Sequence, residues 1–156
     1  MFFLYTIAFL IKKYQLRQKN IFLGKNTFIG RHSFTETFKT GAIYIGEGTN
    51  IGRFATLSSI RKITIGKNCL FGYHISLLDH DHQVFDTRLS PINSGLTPGE
   101  EVVIEDECFI GAHSFILKGV HLGKHCVVGA NSVVTKSFPA YSVIAGNPAK
   151  LIKRIP

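Results

Sequence analysis

The chain has 156 residues, the length of one domain, and its 45% apolar content excludes an intrinsically disordered protein. Eighteen Lys and Arg against ten Asp and Glu give a formal net charge of +8. This charge favours anionic partners such as phosphorylated cofactors, acidic glycans or anionic lipid, and it serves equally to keep a flat β-surface soluble. No finger, RNP-type or basic-helix pattern is present, so we expect no nucleic acid partner.

The N-terminal segment, residues 1–20, opens with an apolar run over residues 1–11 and continues with Lys12, Lys13, Arg17 and Lys19. The apolar run is too short to span a bilayer, and it lacks the basic leader and small-residue cleavage site of a signal peptide. Two hypotheses remain open. The segment caps the open end of the fold that follows, or residues 1–19 lie peripherally in a membrane interface with their basic side chains on lipid phosphates.

A six-residue period begins at Leu23 and places an aliphatic or aromatic residue at every sixth position. The period is lost between Phe34 and Tyr44 and then returns, with two extra residues after Leu57 that suggest a bulge at a corner. It is most regular from residue 102 to residue 134, where six positions follow one another without a slip: Ile104, Ile110, Ile116, Leu122, Val128 and Val134.

A six-residue period fits neither an α-helix nor an ordinary strand, and it indicates a β-solenoid. Each hexad supplies one short strand and a corner, and three hexads complete one triangular coil. The aliphatic residue points inward, and the residue after it, often Gly, turns the corner. We therefore predict an all-β chain with about five stacked coils over residues 21–139.

Three cysteines, Cys69, Cys108 and Cys126, occupy the small fifth place of their hexads. No CxxC pair is present, so neither a disulfide framework nor a zinc knuckle is indicated. Buried free thiols are typical of a reducing compartment, and we expect the protein in the cytoplasm.

Residues 79–101 interrupt the period and contain Pro91, Gly95, Pro98 and Gly99, which predicts a loop that leaves the solenoid. This loop starts with Asp79-His80-Asp81-His82. A neutral imidazole beside a carboxylate is a suitable general base near neutral pH. Zinc ligation is the rival interpretation, although the spacing of the other histidines does not supply a matching third ligand. After the period ends at residue 139, residues 140–156 form a short C-terminal element with a basic tail.

Together, the hexads, the histidine-bearing loop and the closing segments 127–136 and 145–150 resemble the hexapeptide-repeat acyltransferases, in particular the bacterial sugar and polysaccharide O-acetyltransferases. The resemblance implies a left-handed parallel β-helix, a homotrimer, acetyl-CoA as donor without a metal, and an active site between subunits. It implies a sugar or glycan acceptor in polysaccharide biosynthesis. N-acetylation of an amino sugar and a non-catalytic β-helix scaffold remain alternatives, since fold does not set function.

The resemblance also assigns roles to individual positions. His80 matches the family's catalytic histidine, and Ala112, which follows Gly111, matches the residue whose main-chain N–H faces the thioester. The remaining matches line the pantetheine and nucleotide end of CoA or meet its phosphates: Gly129, Ala130, Thr135, Lys136, Lys150, Lys153 and Arg154. Ile60 or Ser59 stands where galactoside acetyltransferases carry an acceptor-binding carboxylate, so the identity of the acceptor does not follow from the resemblance.

In the expected mechanism, His80 removes the proton of a sugar hydroxyl that attacks the thioester directly. No serine or cysteine stands in a nucleophile setting beside it, so no acyl-enzyme is expected. Main-chain N–H groups near Gly111 and Ala112 would hold the oxyanion. Asp79, Asp81, Asp86 or a carbonyl would orient His80, and the candidates for acceptor contact are Asp79, His82 and Arg88.

Overall fold

The computed structural model describes residues 20–38 and 40–156. The hypotheses for residues 1–19, a cap or a membrane-interface segment, lie outside these residues. Within them, no helix has both the length and the apolar character that crossing a membrane requires.

Three parallel sheets form the sides of the molecule, and successive strands belong to successive sheets. Face A contains β1 (Ile21–Leu23), β4 (Ala42–Ile45), β7 (Lys62–Ile65), β10 (Val102–Ile104) and β13 (His121–Leu122). Face B contains β2 (Phe28–Ile29), β5 (Asn50–Ile51), β8 (Leu70–Phe71), β11 (Phe109–Ile110), β14 (Val127–Val128) and β16 (Ser142–Ala145). Face C contains β3 (Phe34–Thr37), β6 (Thr56–Ser59), β9 (Ser76–Leu78), β12 (Phe115–Ile116) and β15 (Val133–Val134). This arrangement confirms the predicted all-β parallel β-helix.

The hexad aliphatics form the core. Ile104, Ile110 and Ile116, which belong to three successive faces of one coil, are all 0% exposed. The same inward position on the neighbouring coils is taken by other aliphatics or by Phe71, so each side chain packs on its counterpart one coil away. At about 25 cal/mol per Å² of apolar surface, this continuous burial is the main stabilising contribution to the fold.

Where the fifth place of a hexad is Ser, Thr or Cys, its side chain closes the corner by a hydrogen bond between coils. Thr49 Oγ1 donates to the carbonyl of Gly66 at 2.7 Å, and Cys108 Sγ lies 3.3 Å from the carbonyl of Gly123. The three cysteines are free and buried, as the sequence predicts. Their place in this column is structural, because each thiol is buried against a main-chain carbonyl.

The coil count is slightly higher than the five that the sequence predicts. Fifteen strands, β1–β15, complete five coils. A sixth begins where Phe138 bridges Leu122 on face A, and it continues with β16, which pairs with β14 on face B. The sheet therefore continues past residue 139, where the hexad period ends, because the last turn is shorter than three hexads yet still places Val143 beside Val127. The chain then reverses, and β17 (Lys150–Arg154) pairs antiparallel with β16.

The chain leaves the regular coil where it passes from face C to face A, which we call the His80 corner because His80 lies there. Two extra residues separate β6 from β7 at this corner, as predicted, and the 79–101 loop separates β9 from β10 one coil later. The corner between faces B and C has no insertion, and we call it the Ala112 corner.

Candidate functional site

Asp79 and His80 follow directly after β9, and their side chains differ in burial. Asp79 continues the inward position of Leu77 and is 0% exposed, whereas the side chain of His80 is 10% exposed. Asp79 Oδ1 lies 2.9 Å from His80 Nδ1. Of the three carboxylates that the sequence left as orienting candidates, Asp79 is the one that contacts His80; Asp81 pairs with Lys118, and Asp86 pairs with Arg88.

The Asp79 carboxylate is held by the two-residue bulge of the preceding coil. Three consecutive main-chain N–H groups donate to it, those of Ile60 at 2.9 Å, Arg61 at 2.9 Å and Lys62 at 2.8 Å. The hydroxyl of Ser59 adds a fourth hydrogen bond at 2.6 Å. Such a run of N–H groups is an anion-binding nest, and here it binds the protein's own carboxylate.

This environment keeps Asp79 ionised. Burial alone would raise the pKa of the carboxyl, but the hydrogen bonds from Ser59, the Ile60 main chain and His80 outweigh that cost and hold its pKa below the ordinary value. Both oxygens of Asp79 are buried and already accept hydrogen bonds, one of them beside His80. Asp79 therefore positions His80, and its contact with the acceptor stays a prediction.

An ionised carboxylate can only accept hydrogen bonds, so in the neutral imidazole of His80 the proton is on Nδ1 and Nε2 presents a lone pair. The ring is further held by Phe38, whose edge-to-face contact with His80 has a centroid separation of 6.2 Å. Nε2 has no hydrogen bond to any residue of 20–38 and 40–156, and such a fixed, partly exposed imidazole is able to take a proton from a hydroxyl.

Replacing Asp79 with asparagine should lower both stability and turnover. The amide nitrogen would face main-chain N–H groups that now donate to an oxygen. Each donor left unpaired would lower the free energy of unfolding by about 1–3 kcal/mol. It would also favour the wrong tautomer of His80 and so lower kcat. We expect a lower Tm at pH 7, measured by thermal unfolding, and a lower kcat at temperatures where the variant is folded.

Acid titration provides the control for this prediction. A carboxyl with a depressed pKa contributes stability that is present above its unfolded pKa of about 3.9 and is lost as the pH falls through the folded pKa. The Tm difference between wild type and Asp79→Asn should therefore shrink below about pH 4. Asp86→Asn, which affects an ion pair at the loop tip, should leave Tm unchanged. Equal Tm values for the wild type and Asp79→Asn at pH 7 would contradict the nest.

The 79–101 loop is anchored at its base and exposed at its tip. Its two legs pair where His82 faces Leu96, and Thr97 N–H donates to the Asp81 carbonyl at 2.8 Å. Lys118, from the next coil, contacts Asp81 at 3.1 Å. At the tip, Phe85 and Ile92 are each 91% exposed.

Of the predicted acceptor contacts in this loop, His82 lies at the loop base, two residues from His80, and its side chain is exposed. The guanidinium of Arg88 lies at the tip and is 86% exposed. It is bound to both oxygens of Asp86, with Nε and Nη2 each at 2.8 Å.

A cavity of about 490 Å³ lies between this loop and the His80 corner. It is lined by Phe38 and Ile60 from the solenoid and by Gln83, Leu96, Thr97 and Pro98 from the loop. Neither Phe38 nor the cavity was predicted, because both depend on how the loop folds back. The bulge at Ile60 had a sequence signal, the two extra residues, but its partner Asp79 lies a whole coil away.

Gly111 and Ala112 lie at the Ala112 corner. The Gly111 position excludes a side chain, since a Cβ atom there would lie 2.5 Å from the main-chain nitrogen of Ala130. The N–H of Ala112 donates no hydrogen bond within residues 20–38 and 40–156, which suits it to an external acceptor such as an oxyanion. The turn continues into His113, whose φ is 59°.

The Ala112 corner and the His80 corner of one chain are far apart. Ala112 precedes β12, His80 follows β9, and these two strands pair along face C. The corners therefore stand at opposite ends of the same face, on the order of 15–20 Å apart at the ~3.3 Å rise of a strand residue. Within a single chain, the predicted base and the predicted oxyanion donor do not meet.

The other predicted cofactor residues lie closer to the C-terminus. Gly129 and Ala130 occupy the Ala112 corner one coil further on, and Thr135 and Lys136 are exposed at the His80 corner two coils beyond His80. Lys150, Lys153 and Arg154 are exposed on β17. No three His, Cys, Asp or Glu side chains of the described residues come together as a metal-binding group.

Comparison with known proteins identifies the repeat. A family described as the hexapeptide repeat of succinyl-transferase matches residues 101–136. A putative lipopolysaccharide biosynthesis O-acetyl transferase of Escherichia coli (strain K12), WbbJ, is 32% identical over 142 residues, which cover 86% of this chain and 72% of the relative.

Two solved structures have the same fold. A hexapeptide-repeat-containing acetyltransferase from Vibrio cholerae O1 biovar eltor, complexed with acetyl coenzyme A, is 28% identical with a TM-score of 0.80, and the match covers 94% of this chain and 78% of that one. A maltose O-acetyltransferase from Clostridium difficile 630 is 30% identical with a TM-score of 0.78, covering 90% and 73%.

Proposed function

Because the chain belongs to the family of hexapeptide-repeat acetyltransferases, we propose that it transfers an acetyl group from acetyl-CoA to a sugar hydroxyl in the synthesis of a bacterial polysaccharide. The donor is supported by the acetyl coenzyme A bound to the similar Vibrio cholerae protein. The sugar acceptor is supported by the names of the Escherichia coli relative and of the maltose O-acetyltransferase. The observation in this chain that carries the proposal is the buried Asp79 that fixes the tautomer of His80.

The chain's own residues perform the following steps. His80 Nε2 accepts the proton of the acceptor hydroxyl as its oxygen attacks the thioester carbonyl, while Asp79 stabilises the resulting imidazolium. The N–H of Ala112 donates to the oxygen that gains negative charge, a contribution worth about 3–4 kcal/mol per donor in other acyl-transfer enzymes. The carbon–sulfur bond then breaks, the acetyl ester forms, and the proton on His80 passes to the leaving thiolate.

This mechanism requires two subunits, because the His80 corner and the Ala112 corner of one chain cannot reach the same ligand. A cyclic trimer would place the His80 corner of one subunit against the Ala112 corner of its neighbour, three times over. Faces B and C, which meet at the Ala112 corner, carry outward apolar side chains that are 42–55% exposed and suit such contacts: Phe28, Phe34, Leu70, Phe109 and Phe115.

In this mechanism, the phosphates of CoA are bound by Lys150, Lys153 and Arg154. Replacing all three with Gln should raise KM for acetyl-CoA about tenfold, since three screened contacts of roughly 0.5 kcal/mol each add to about 1.5 kcal/mol. KM for the acceptor should not change. Steady-state kinetics with either substrate varied will measure both values.

A matched control removes the same charge elsewhere. Lys25, Arg53 and Lys67 are exposed on the part of the solenoid before the loop, and their replacement with Gln should leave both KM values as in the wild type. An equal rise in KM for acetyl-CoA in both triple variants would mean that net charge matters and that the C-terminal strand holds no phosphate.

The proposed function as a whole is tested by following thiol release from acetyl-CoA in the presence of a panel of glycosides. Acceptor-dependent release, with an O-acetylated product seen by mass spectrometry, is the expected result. Absence of release with every acceptor, together with no binding of CoA in calorimetry, would favour a scaffold role. Release with amino sugars alone would indicate N-acetylation.

A further inference from the structure

The cavity beside His80 has a wall that is unusual for a site that accepts a sugar. It adjoins the proposed base, since Phe38 contacts the His80 ring and also lines the cavity. Ile60 connects the two as well: its N–H binds Asp79 at 2.9 Å, and its side chain faces the cavity. A ligand in this cavity would therefore lie one side chain, that of Phe38, away from the His80 ring.

The lining offers few hydrogen bonds. Phe38, Ile60, Leu96 and Pro98 are apolar, and among residues 20–38 and 40–156 no charged side chain lines the cavity. The hydroxyl of Thr97 is already engaged with the main chain of Asp81, at 3.2 Å from its nitrogen and 3.3 Å from its oxygen. Gln83 alone presents a side-chain amide without a hydrogen bond in the part of the chain that the structure describes.

A fully hydroxylated sugar would lose hydrogen bonds to water here without replacing them, and that loss is costly. An apolar substituent would bury its surface instead, and the C–H face of a sugar ring packs well on an aromatic ring such as Phe38. The volume of about 490 Å³ is within the range of pockets that hold small ligands and is ample for one sugar residue.

We propose that this cavity selects an acceptor sugar with a methyl group, which rests against Ile60 and Leu96 while a neighbouring hydroxyl faces His80. The methyl group belongs either to a 6-deoxyhexose or to the N-acetyl group of a hexosamine; both present the same chemistry to the wall. The inference rests on the proposed acetyl transfer and narrows its substrate class.

Two pairs of p-nitrophenyl glycosides test the proposal with the full chain. β-D-fucoside and β-D-galactoside differ by a methyl against a hydroxymethyl group, and N-acetyl-β-D-glucosaminide and β-D-glucoside differ by the acetamido group. We expect kcat/KM to be about 10–100-fold higher for the methyl-bearing member of one pair, the discrimination that apolar pockets achieve. The pair that shows the preference identifies the source of the methyl group.

Variants of the wall make the test specific. Ile60→Asn and Leu96→Asn should each reduce this preference towards one, whereas Ile92→Asn, at the 91% exposed loop tip, should leave it intact. A ratio of one or less in both pairs, or a preference that neither wall variant changes, would overturn the proposal.

Saturation-transfer NMR without acetyl-CoA separates this inference from the proposed function. We expect the methyl protons of the bound glycoside to receive the strongest saturation, and Ile60→Asn to abolish it. Binding through the methyl group without any acetyl transfer would contradict the acetyltransferase assignment and keep the pocket. Acetyl transfer without a preference for the methyl group would support the acetyltransferase assignment and contradict the pocket. Absence of binding by every glycoside would also contradict the pocket.

Discussion

Replacing His80 with alanine is expected to lower kcat by about 10²–10⁴, the loss typical of a missing general base. The variant should fold, because the imidazole lies outside the core and its removal leaves the four hydrogen bonds between Asp79 and the preceding coil in place. Thiol release at saturating acetyl-CoA measures the loss, and the Tm of the variant confirms that the coil is intact.

His121→Ala is the matched control for this prediction. His121 also bonds to a carboxylate, with Nε2 2.7 Å from Glu105, but it is exposed on face A and does not contact Asp79. This variant should turn over at the wild-type rate. Near-normal turnover by His80→Ala would remove His80 from the role of base and leave the hydrogen bond to Asp79 without a catalytic purpose.

The second large effect should appear when two inactive variants are mixed. Ala112→Pro deletes the N–H that is proposed to hold the oxyanion, and proline is well tolerated at the second position of a turn whose third residue has a positive φ. Alone, this variant should lose about 10²–10³ in kcat. When this variant is co-expressed in equal amounts with His80→Ala, one interface in four combines both intact corners. Activity should therefore return to about one quarter of the wild-type value.

Arg53→Pro is the control for the proline. It stands at the equivalent turn position of an earlier coil, before Phe54 with φ of 59°, and should keep full activity. Recovery of no activity in mixed trimers, with mixing verified by two different affinity tags, would mean that both corners do not serve a shared site. Activity of Ala112→Pro by itself would exclude its N–H as the oxyanion donor.

The sequence was sufficient to predict the solenoid, because the hexad period reports directly on which side chains point inward. Ile104, Ile110 and Ile116 are as buried as the period requires. The hexad period did not predict the C-terminal end of the sheet, where the sixth coil is too short for three hexads. Strand β16 nevertheless pairs with β14, because parallel hydrogen bonds need adjacent backbones and not a constant residue count.

For the site, the sequence identified the histidine and its loop but left open which of Asp79, Asp81 and Asp86 orients His80. The signal was available: the alternation of a strand, continued from the inward Leu77, turns Asp79 inward and His80 outward. The partners of Asp79 had no such signal, since the Ile60 and Arg61 N–H groups approach it only when one coil stacks on another. The cavity wall likewise depends on contacts between the loop and the coil.

The dependence of Asp79 on the bulge limits how this dyad can be transferred to other proteins. Asp79 and His80 lie on one coil of the solenoid, but the hydrogen-bond donors that keep the carboxylate ionised belong to the preceding coil. If Asp79 and His80 were grafted onto a regular β-helix without residues 59–62, the carboxyl would be buried without hydrogen-bond donors. Such a carboxyl would be protonated. The unit that can be transferred is therefore two adjacent coils, the first of which carries the two extra residues.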